Sequence, residues 1–147
     1  MNNDFEPVLN SLLSSLQTSV GSSFVTMSRR AKAWADAESD IQPALFIRHI
    51  GDSDEYSDHS IFATTTMYVE VWIYMKASGD PDIAPDTAFN ALLKLVRNAF
   101  KSDDPNTGRF TLGQTVHWCR IEGHSLIDDG AEDGQCAAML PVHITLP

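Results

Sequence analysis

Positive charge is scarce in this sequence. Ten Lys and Arg residues stand against twenty Asp and Glu residues, so the formal net charge of the 147-residue chain is −10. A protein that grips nucleic acid through phosphates needs a basic face that releases counterions. The most closely spaced basic residues in the sequence are Arg29, Arg30 and Lys32. Tight binding to DNA is therefore not expected, and neither is binding to an anionic membrane surface.

Cysteines and long apolar runs are also few. Two cysteines, Cys119 and Cys136, are too few for a disulfide framework. Both lie in apolar stretches, which predicts reduced, buried thiols. No window approaches the roughly 20 apolar residues of a membrane span, and the N-terminus lacks the basic segment and apolar region of a secretory signal. We expect a soluble protein that is made in the cytoplasm.

Motifs for catalysis are missing as well. The sequence contains no G-x-S-x-G, no P-loop and no G-x-G-x-x-G. The closest approach to a catalytic group is His124-Ser125 beside Asp128 and Asp129. Residues adjacent in a loop rarely converge as nucleophile, base and orienter. The sequence therefore predicts that the protein is not an enzyme.

Two groups of residues could be considered as metal ligands, and neither fits. An EF-hand that began at Asp52 would need Gly at its sixth position and Glu at its twelfth, where the chain has Ser57 and Ala63. His117 and Cys119 share a face of a predicted strand, and His143 could come near. Zinc sites usually need three or four ligands at motif spacing, so no metal or cofactor is expected.

Hydrophobic periodicity predicts a single domain over residues 1–147. Apolar residues at three- and four-residue steps indicate one helix between Asp4 and Gly21 and another over residues 86–101. The expected strands cover residues 22–28, 43–50, 61–76, 114–123 and 136–146, and the last two are expected to form a hairpin. The segments 29–42, 51–60, 102–113 and 124–135 are expected to be loops or turns. The order α-β-β-β-α-β-β predicts an α+β fold with a largely antiparallel sheet of about five strands flanked by two helices.

The strand over residues 61–76 has two contrasting faces. From Met67 onward, apolar residues alternate strictly with a second set that contains Tyr68, Trp72 and Tyr74. These three aromatics could form a second core layer under the N-terminal helix. They could equally form a surface between subunits, where Tyr and Trp are enriched.

Several short stretches of the chain are similar to the tail-terminator, or minor tail protein, family of long-tailed bacteriophages. The stretches cover most of the chain from residue 43 onward, together with the N-terminal helix, and their order carries the resemblance. The first stretch is Pro43-Ala44-Leu45-Phe46, which opens a strand and is followed by an acidic loop and a long strand that ends near Tyr74. A helix then follows Asp80-Pro81, and Leu112-Gly113-Gln114-Thr115-Val116 leads into Arg120-Ile121-Glu122-Gly123. The last stretch is Asp133-Gly134-Gln135-Cys136-Ala137-Ala138-Met139-Leu140-Pro141-Val142.

The resemblance implies a structural virion protein without catalytic residues. Such a protein forms a ring, usually a hexamer, on the last ring of the tail tube, ends tube polymerisation and presents a joining surface to the neck. Its partners would be further copies of itself, the tail-tube protein and neck or connector proteins, at the head-proximal end of the tail. Other head–tail joining or tube subunits, and a small ligand-binding domain, are the alternatives.

DNA would pass through the lumen of such a ring without specific binding. We expect like-charge repulsion to keep DNA from adhering to acidic residues at the lumen or its rim. The candidate residues fall in two acidic segments: Asp52, Asp54, Glu55 and Asp58 in the first, and Asp128, Asp129, Glu132 and Asp133 in the second.

Overall fold

The computed structural model describes residues 4–29 and 41–147 and has the expected α+β fold. The predicted loop over residues 29–42, with Arg30, Lys32 and Trp34, lies almost entirely outside the described residues. The two helices and six strands are α1 (Phe5–Val20), β1 (Thr26–Ser28), β2 (Ala44–Glu55), β3 (Thr64–Lys76), α2 (Thr87–Asn98), β4 (Trp118–Ile121), β5 (Leu126–Asp129) and β6 (Gln135–Thr145).

Helix α1 begins and ends where its sequence predicts. Asp4 is the N-cap, and its carboxylate accepts a hydrogen bond from the N–H of Glu6 at 3.2 Å. Gly21 is the C-cap. Arg29, which follows β1, links the chain to this helix, because its guanidinium donates hydrogen bonds to Glu6 at 2.7 Å and to Asn10 at 2.9 Å.

The sheet is mixed, with the strand order β1-β2-β3-β6-β4. All its pairs are antiparallel except β1 with β2, which run parallel. Strands β4 and β5 both pair with β6, β4 along Val142–Thr145 and β5 along Cys136–Met139. Together β4 and β5 form one edge strand that is interrupted at residues 122–125. Strands β4 and β6 correspond to the strands predicted over residues 114–123 and 136–146, so the expected pairing of these two is confirmed.

Both helices pack on the same face of the sheet. Their buried residues join one core cluster with the apolar residues of β3 that alternate from Met67. The α1 contribution is Val8, Leu9, Leu12, Leu16 and Val20, and the α2 contribution is Phe89, Leu92, Leu93 and Val96. The predicted helical stripes and the predicted core face of β3 are thus confirmed. Cys119 and Cys136 are free and buried in this core.

Strand boundaries differ from the prediction at several places: β1 begins only at Thr26, β3 begins only at Thr64, and β5 forms within the segment that was expected to be a turn. Strand β2 continues through residues 51–55, which the sequence placed in a loop, because they pair with residues 64–68 of β3. The strand expected over residues 114–123 is only four residues long. Before it, Leu112, Gly113 and Gln114 all have positive φ and form a left-handed turn, an uncommon conformation for the two non-glycine residues.

The turn between β5 and β6 allows a matched test of two glycines. Gly130 and Gly134 have φ of 75° and 74°, where a Cβ costs roughly 1 kcal/mol. At Gly130 the added Cβ would also lie 3.0 Å from Cys136 Sγ and 3.1 Å from Ala77 Cβ, whereas at Gly134 nothing lies within 4 Å. We expect Gly130→Ala to lower the free energy of unfolding by about 2 kcal/mol and Gly134→Ala by about 1 kcal/mol. Urea denaturation measures both, and equal losses would show that the turn relaxes around the new methyl group.

Candidate subunit interface

The predicted aromatic side chains lie on the face of the sheet opposite to the two helices. Strand β3 alternates strictly, so Tyr68, Trp72 and Tyr74 point away from the core that contains α1 and α2. They are therefore not a core layer under the N-terminal helix, and that interpretation is wrong. Met139 of β6 lies beside Trp72 in the register and is half-buried like it. This half-buried area of Tyr68, Trp72 and Met139 is called the open face below.

Tyr74 differs from the other two aromatics. It is only 3% exposed and packs with Phe46 and Ala44 in a second, smaller cluster, to which Trp72 also belongs. Its ring centroid lies 5.8 Å from that of Phe46 and 6.4 Å from that of Trp72. Burial raises the pKa of the Tyr74 hydroxyl. Tyr74 therefore packs against its neighbours and offers little surface of its own.

The polar groups of Tyr68 and Trp72 bind within the chain. The Tyr68 hydroxyl lies 2.7 Å from Ser53 Oγ, and the indole N–H of Trp72 donates to Glu70 at 3.2 Å. The Tyr68 ring also meets the ring of His143 edge-on at 4.8 Å. These contacts fix the orientation of both aromatics while leaving part of each ring exposed, which favours contact with a preformed partner surface.

A row of charged groups borders the open face on the side of β4. Glu122 accepts hydrogen bonds from Arg120 at 2.8 Å and lies 3.0 Å from the Nδ1 of His143. The hydrogen bond from Arg120 is the main reason that the pKa of Glu122 lies below its usual value. The guanidiniums of Arg120 and Arg109 lie 4.2 Å and 4.7 Å from the centre of the Trp118 ring. These contacts link the loop before β4, β4 itself and β6.

The hairpin that joins β2 to β3 exposes large apolar side chains. Tyr56 is 70% exposed, Ile61 86% and Phe62 61%. We define the hairpin tip as residues 52–62. The first residues of β3, before Thr66, do not pair with β6. The hairpin tip therefore extends past the main body of the sheet. Exposed large apolar residues that cluster mark interaction sites in proteins. The sequence did not reveal this exposure, because Tyr56 lies in an acidic segment and Ile61 and Phe62 were expected to begin the long strand.

The first acidic segment lies on this hairpin tip. Asp52, Asp54 and Glu55 belong to β2 and not to a loop, while Asp58 lies in the turn itself. The carboxylate of Asp54 accepts a hydrogen bond from the hydroxyl of Thr65 at 2.6 Å. The chain has no Lys or Arg between Arg48 and Lys76, so the negative charge of the tip is not balanced locally in sequence.

The second acidic segment mostly builds the β5–β6 turn. Asp128 and Asp129 lie on β5, not in a loop as predicted. Their carboxylates accept hydrogen bonds from the N–H groups of Gly130 and Ala131, and Asp133 accepts one from Gln135. Glu132 is exposed. Such short Asp–backbone bonds are typical of turns, so three of the four carboxylates have a structural role.

The two acidic segments lie at opposite ends of the sheet. Asp129 pairs with Cys136 at the start of β6, whereas the hairpin tip lies beyond Thr145 at its end. The ten residues between them span roughly 30 Å in a strand. The tertiary structure therefore places the two candidate acidic segments far apart in the domain.

The exposed side of α2 forms a basic surface. Lys94 and Arg97 lie on the helix and Lys101 follows within one turn of its end. Leu95 follows Lys94, is 49% exposed and lies on the opposite flank of the helix from Arg97. No acidic residue occurs from Thr87 to Ser102. Within residues 4–29 and 41–147 none of the three cations forms an ion pair, although Arg97 donates to Ser125 at 3.0 Å. We call Lys94, Leu95, Arg97 and Lys101 the basic stripe.

The residues considered for chemistry do not converge. Cys119 is 1% exposed, and burial raises the pKa of its thiol to about 12. His117 lies outside β4 and is exposed, so the shared strand face expected for it with Cys119 is wrong. His143 pairs in register with Arg120 rather than Cys119. Among the described residues, no group of three His, Cys, Asp or Glu side chains is placed to hold a metal ion.

No protein-family model matches the chain, and no curated protein matches its sequence significantly. In the described part of the chain, neither helix is both long and apolar enough to cross a membrane.

Proposed function

We propose that this protein is a tail-terminator subunit of a long-tailed bacteriophage, which caps the tail tube as a ring and forms the surface that joins the tail to the neck. The observation that carries the proposal is the exposed apolar surface of the β2–β3 hairpin tip, where Tyr56, Ile61 and Phe62 are each at least 61% exposed. A chain with net charge −10 that still exposes such residues is suited to assembly with other subunits.

The open face supports the same proposal. Tyr68, Trp72 and Met139 are half-buried on a sheet face opposite to the helices. Aromatic and Met side chains are the residues enriched in protein interfaces. The hairpin tip and the open face together give the domain more than one contact surface, as a cap requires, since it binds its own neighbours in the ring, the tube below and the neck above.

The mechanism of capping is steric and thermodynamic. Docking on the last tube ring buries the growing face of the tube and presents a different surface, so no further tube subunit can add. The acidic side chains of one rim then face the DNA path. The two acidic segments lie at opposite ends of the sheet. The carboxylates of Asp52, Glu55 and Asp58 accept no hydrogen bond from the described residues, so we assign the hairpin segment to the outer rim or to subunit contacts. The turn-building segment near Glu132 is then left for the lumen.

The first test is the solution mass of the purified protein, measured by light scattering over a range of concentration and salt. We expect a concentration-dependent step from the 16.2 kDa monomer to a closed ring, because head-to-tail contacts that close generate rings. Open-ended growth would instead identify a tube subunit and contradict the proposal.

Capping itself needs a second measurement. Purified protein is added to the polymerising tail-tube protein of the same virus, and tube lengths are measured by negative-stain electron microscopy. We expect substoichiometric amounts to shorten the tubes and to leave a distinct ring at one end. Tubes of unchanged length, with no ring at either end, would overturn the function whether or not the protein forms rings alone.

A further inference from the structure

The hairpin tip and the basic stripe of α2 have complementary chemistry. The tip carries four carboxylates, no Lys or Arg, and three exposed apolar side chains. The basic stripe carries three cations, no acidic residue and the exposed Leu95. The high exposure of both within one chain means that they do not cover each other intramolecularly.

We propose that the hairpin tip of one subunit docks on the basic stripe of a second copy of the same chain. This inference rests on the ring assembly in the proposed function and names the surfaces that hold neighbouring subunits together. Tyr56, Ile61 and Phe62 lie against Leu95 and the aliphatic stems of the lysines. The carboxylates of Asp52, Glu55 and Asp58 face Lys94, Arg97 and Lys101. Apolar contact supplies affinity, and the charges orient the two surfaces.

A second copy fits the tip better than DNA or a membrane does. Both of those are anionic, and the tip would repel them. Within the described residues, the stripe is the one run of three cations without an acid between them. The carboxylates nearest to it in the sequence, Asp103 and Asp104, accept hydrogen bonds from their own loop. Because the tip and the stripe are different parts of the chain, repeated docking propagates head to tail, and it generates a ring when the rotation between neighbouring subunits closes.

Charge-swap variants test this pairing directly. The hairpin variant carries Asp52→Lys with Glu55→Lys, and the helix variant carries Lys94→Glu with Lys101→Glu. All four residues are exposed and make no side-chain hydrogen bond with the described residues, so neither variant is expected to lose its fold, which circular dichroism checks. The control, Asp82→Lys with Glu132→Lys, makes the same charge change as the hairpin variant at two exposed acidic residues outside the hairpin tip.

The measurement is the light-scattering mass of each variant and of an equimolar mixture. We expect each swap variant alone to stay monomeric at concentrations at least about tenfold above those at which wild type assembles, while the control assembles like wild type. The mixture is expected to restore the ring, because each lysine-bearing tip then meets a glutamate-bearing helix, and each natural tip meets a natural helix. An even-numbered ring accommodates this alternation.

Each other outcome is decisive. If either swap variant assembles like wild type, or if the mixture stays monomeric, the tip does not dock on the stripe, and the capping measurement still judges the proposed function separately. Restoration of a dimer instead of a ring supports the pairing and contradicts the ring. A wild-type chain that stays monomeric at every concentration overturns the pairing between free copies.

The apolar half of the contact has its own variant. Ile61→Ser with Phe62→Ser is expected to weaken assembly by at least about tenfold, since exposed anchors at an interface carry much of its affinity. Val25→Ser with Ile83→Ser is the control, because these residues are 63% and 46% exposed and lie outside the hairpin tip, the basic stripe and the open face. Equal weakening by both pairs would assign the apolar contact to no particular surface and overturn this part of the inference.

Discussion

Replacing Phe89 by alanine is expected to lower the free energy of unfolding by about 3–5 kcal/mol. Phe89 opens the buried stripe of α2 and is 1% exposed in the core between that helix and the sheet. The substitution removes its transfer free energy and leaves a cavity that neighbours on two different elements can fill only in part. The total stability of a domain this size is about 5–15 kcal/mol, so the variant would lose a large part of it.

Urea denaturation followed by circular dichroism measures this loss. Phe62→Ala is the matched control, because the same side chain is removed from a position that is 61% exposed. A change within about 0.5 kcal/mol is expected there. If the two variants lost similar stability, α2 would not be docked on the sheet as described, and the basic stripe on its outer side would lose its geometric basis.

The second large effect concerns the loop between α2 and β4. The carboxylate of Asp103 accepts hydrogen bonds from the Thr111 N–H at 2.7 Å, the Thr111 hydroxyl at 2.8 Å and the Gly113 N–H at 2.9 Å. Burial alone would raise the pKa of Asp103, but these bonds outweigh it and lower the pKa below its ordinary value. Asp103 thus holds the left-handed turn that leads into β4.

The sign of the pH dependence follows from this lowered pKa. A carboxyl whose pKa is lower in the folded state stabilises the fold above its unfolded pKa, and this stabilisation is lost as the pH falls through the folded value. Asp103→Asn is expected to lower the free energy of unfolding by about 1–2 kcal/mol at pH 7, and not by more, because solvent screens this partly exposed carboxylate. The difference from wild type should shrink below a pH of about 4, near the ordinary Asp pKa.

Stability curves at several pH values between 2 and 7 measure the difference. The control is Asp82→Asn, since the Asp82 side chain is exposed and accepts no hydrogen bond in the described part of the chain. It is expected to stay within about 0.5 kcal/mol of wild type throughout. A difference for Asp103→Asn that did not change with pH would show that the charge of this carboxylate is not what holds the turn.

The candidate interface could be anticipated only in part. The alternation from Met67 predicted that Tyr68, Trp72 and Tyr74 share a face, and they do. It could not reveal that Tyr74 is enclosed beside Phe46, because that contact joins strands whose pairing depends on register. The sequence places Lys94, Arg97 and Lys101 toward the C-terminal end of the predicted helix, as the helix dipole favours. That these charges remain without ion pairs within the described residues is a property of the packed structure.

The sequence by itself determined the fold class, the two helices and their buried stripes, the core face of the long strand and the burial of both cysteines. Each depends on which side of a local segment is apolar, and the spacing of residues in one segment records that directly. Only the tertiary structure decided that residues 51–55 continue β2, that β1 pairs in parallel, and that the two acidic segments lie at opposite ends of the sheet. Strand ends and register depend on hydrogen bonds to partners far along the chain. Residues 51–55 are glycine and polar residues, so they show no alternation of apolar side chains. They join the sheet through backbone hydrogen bonds to β3, and the sequence of the stretch does not reveal that partner.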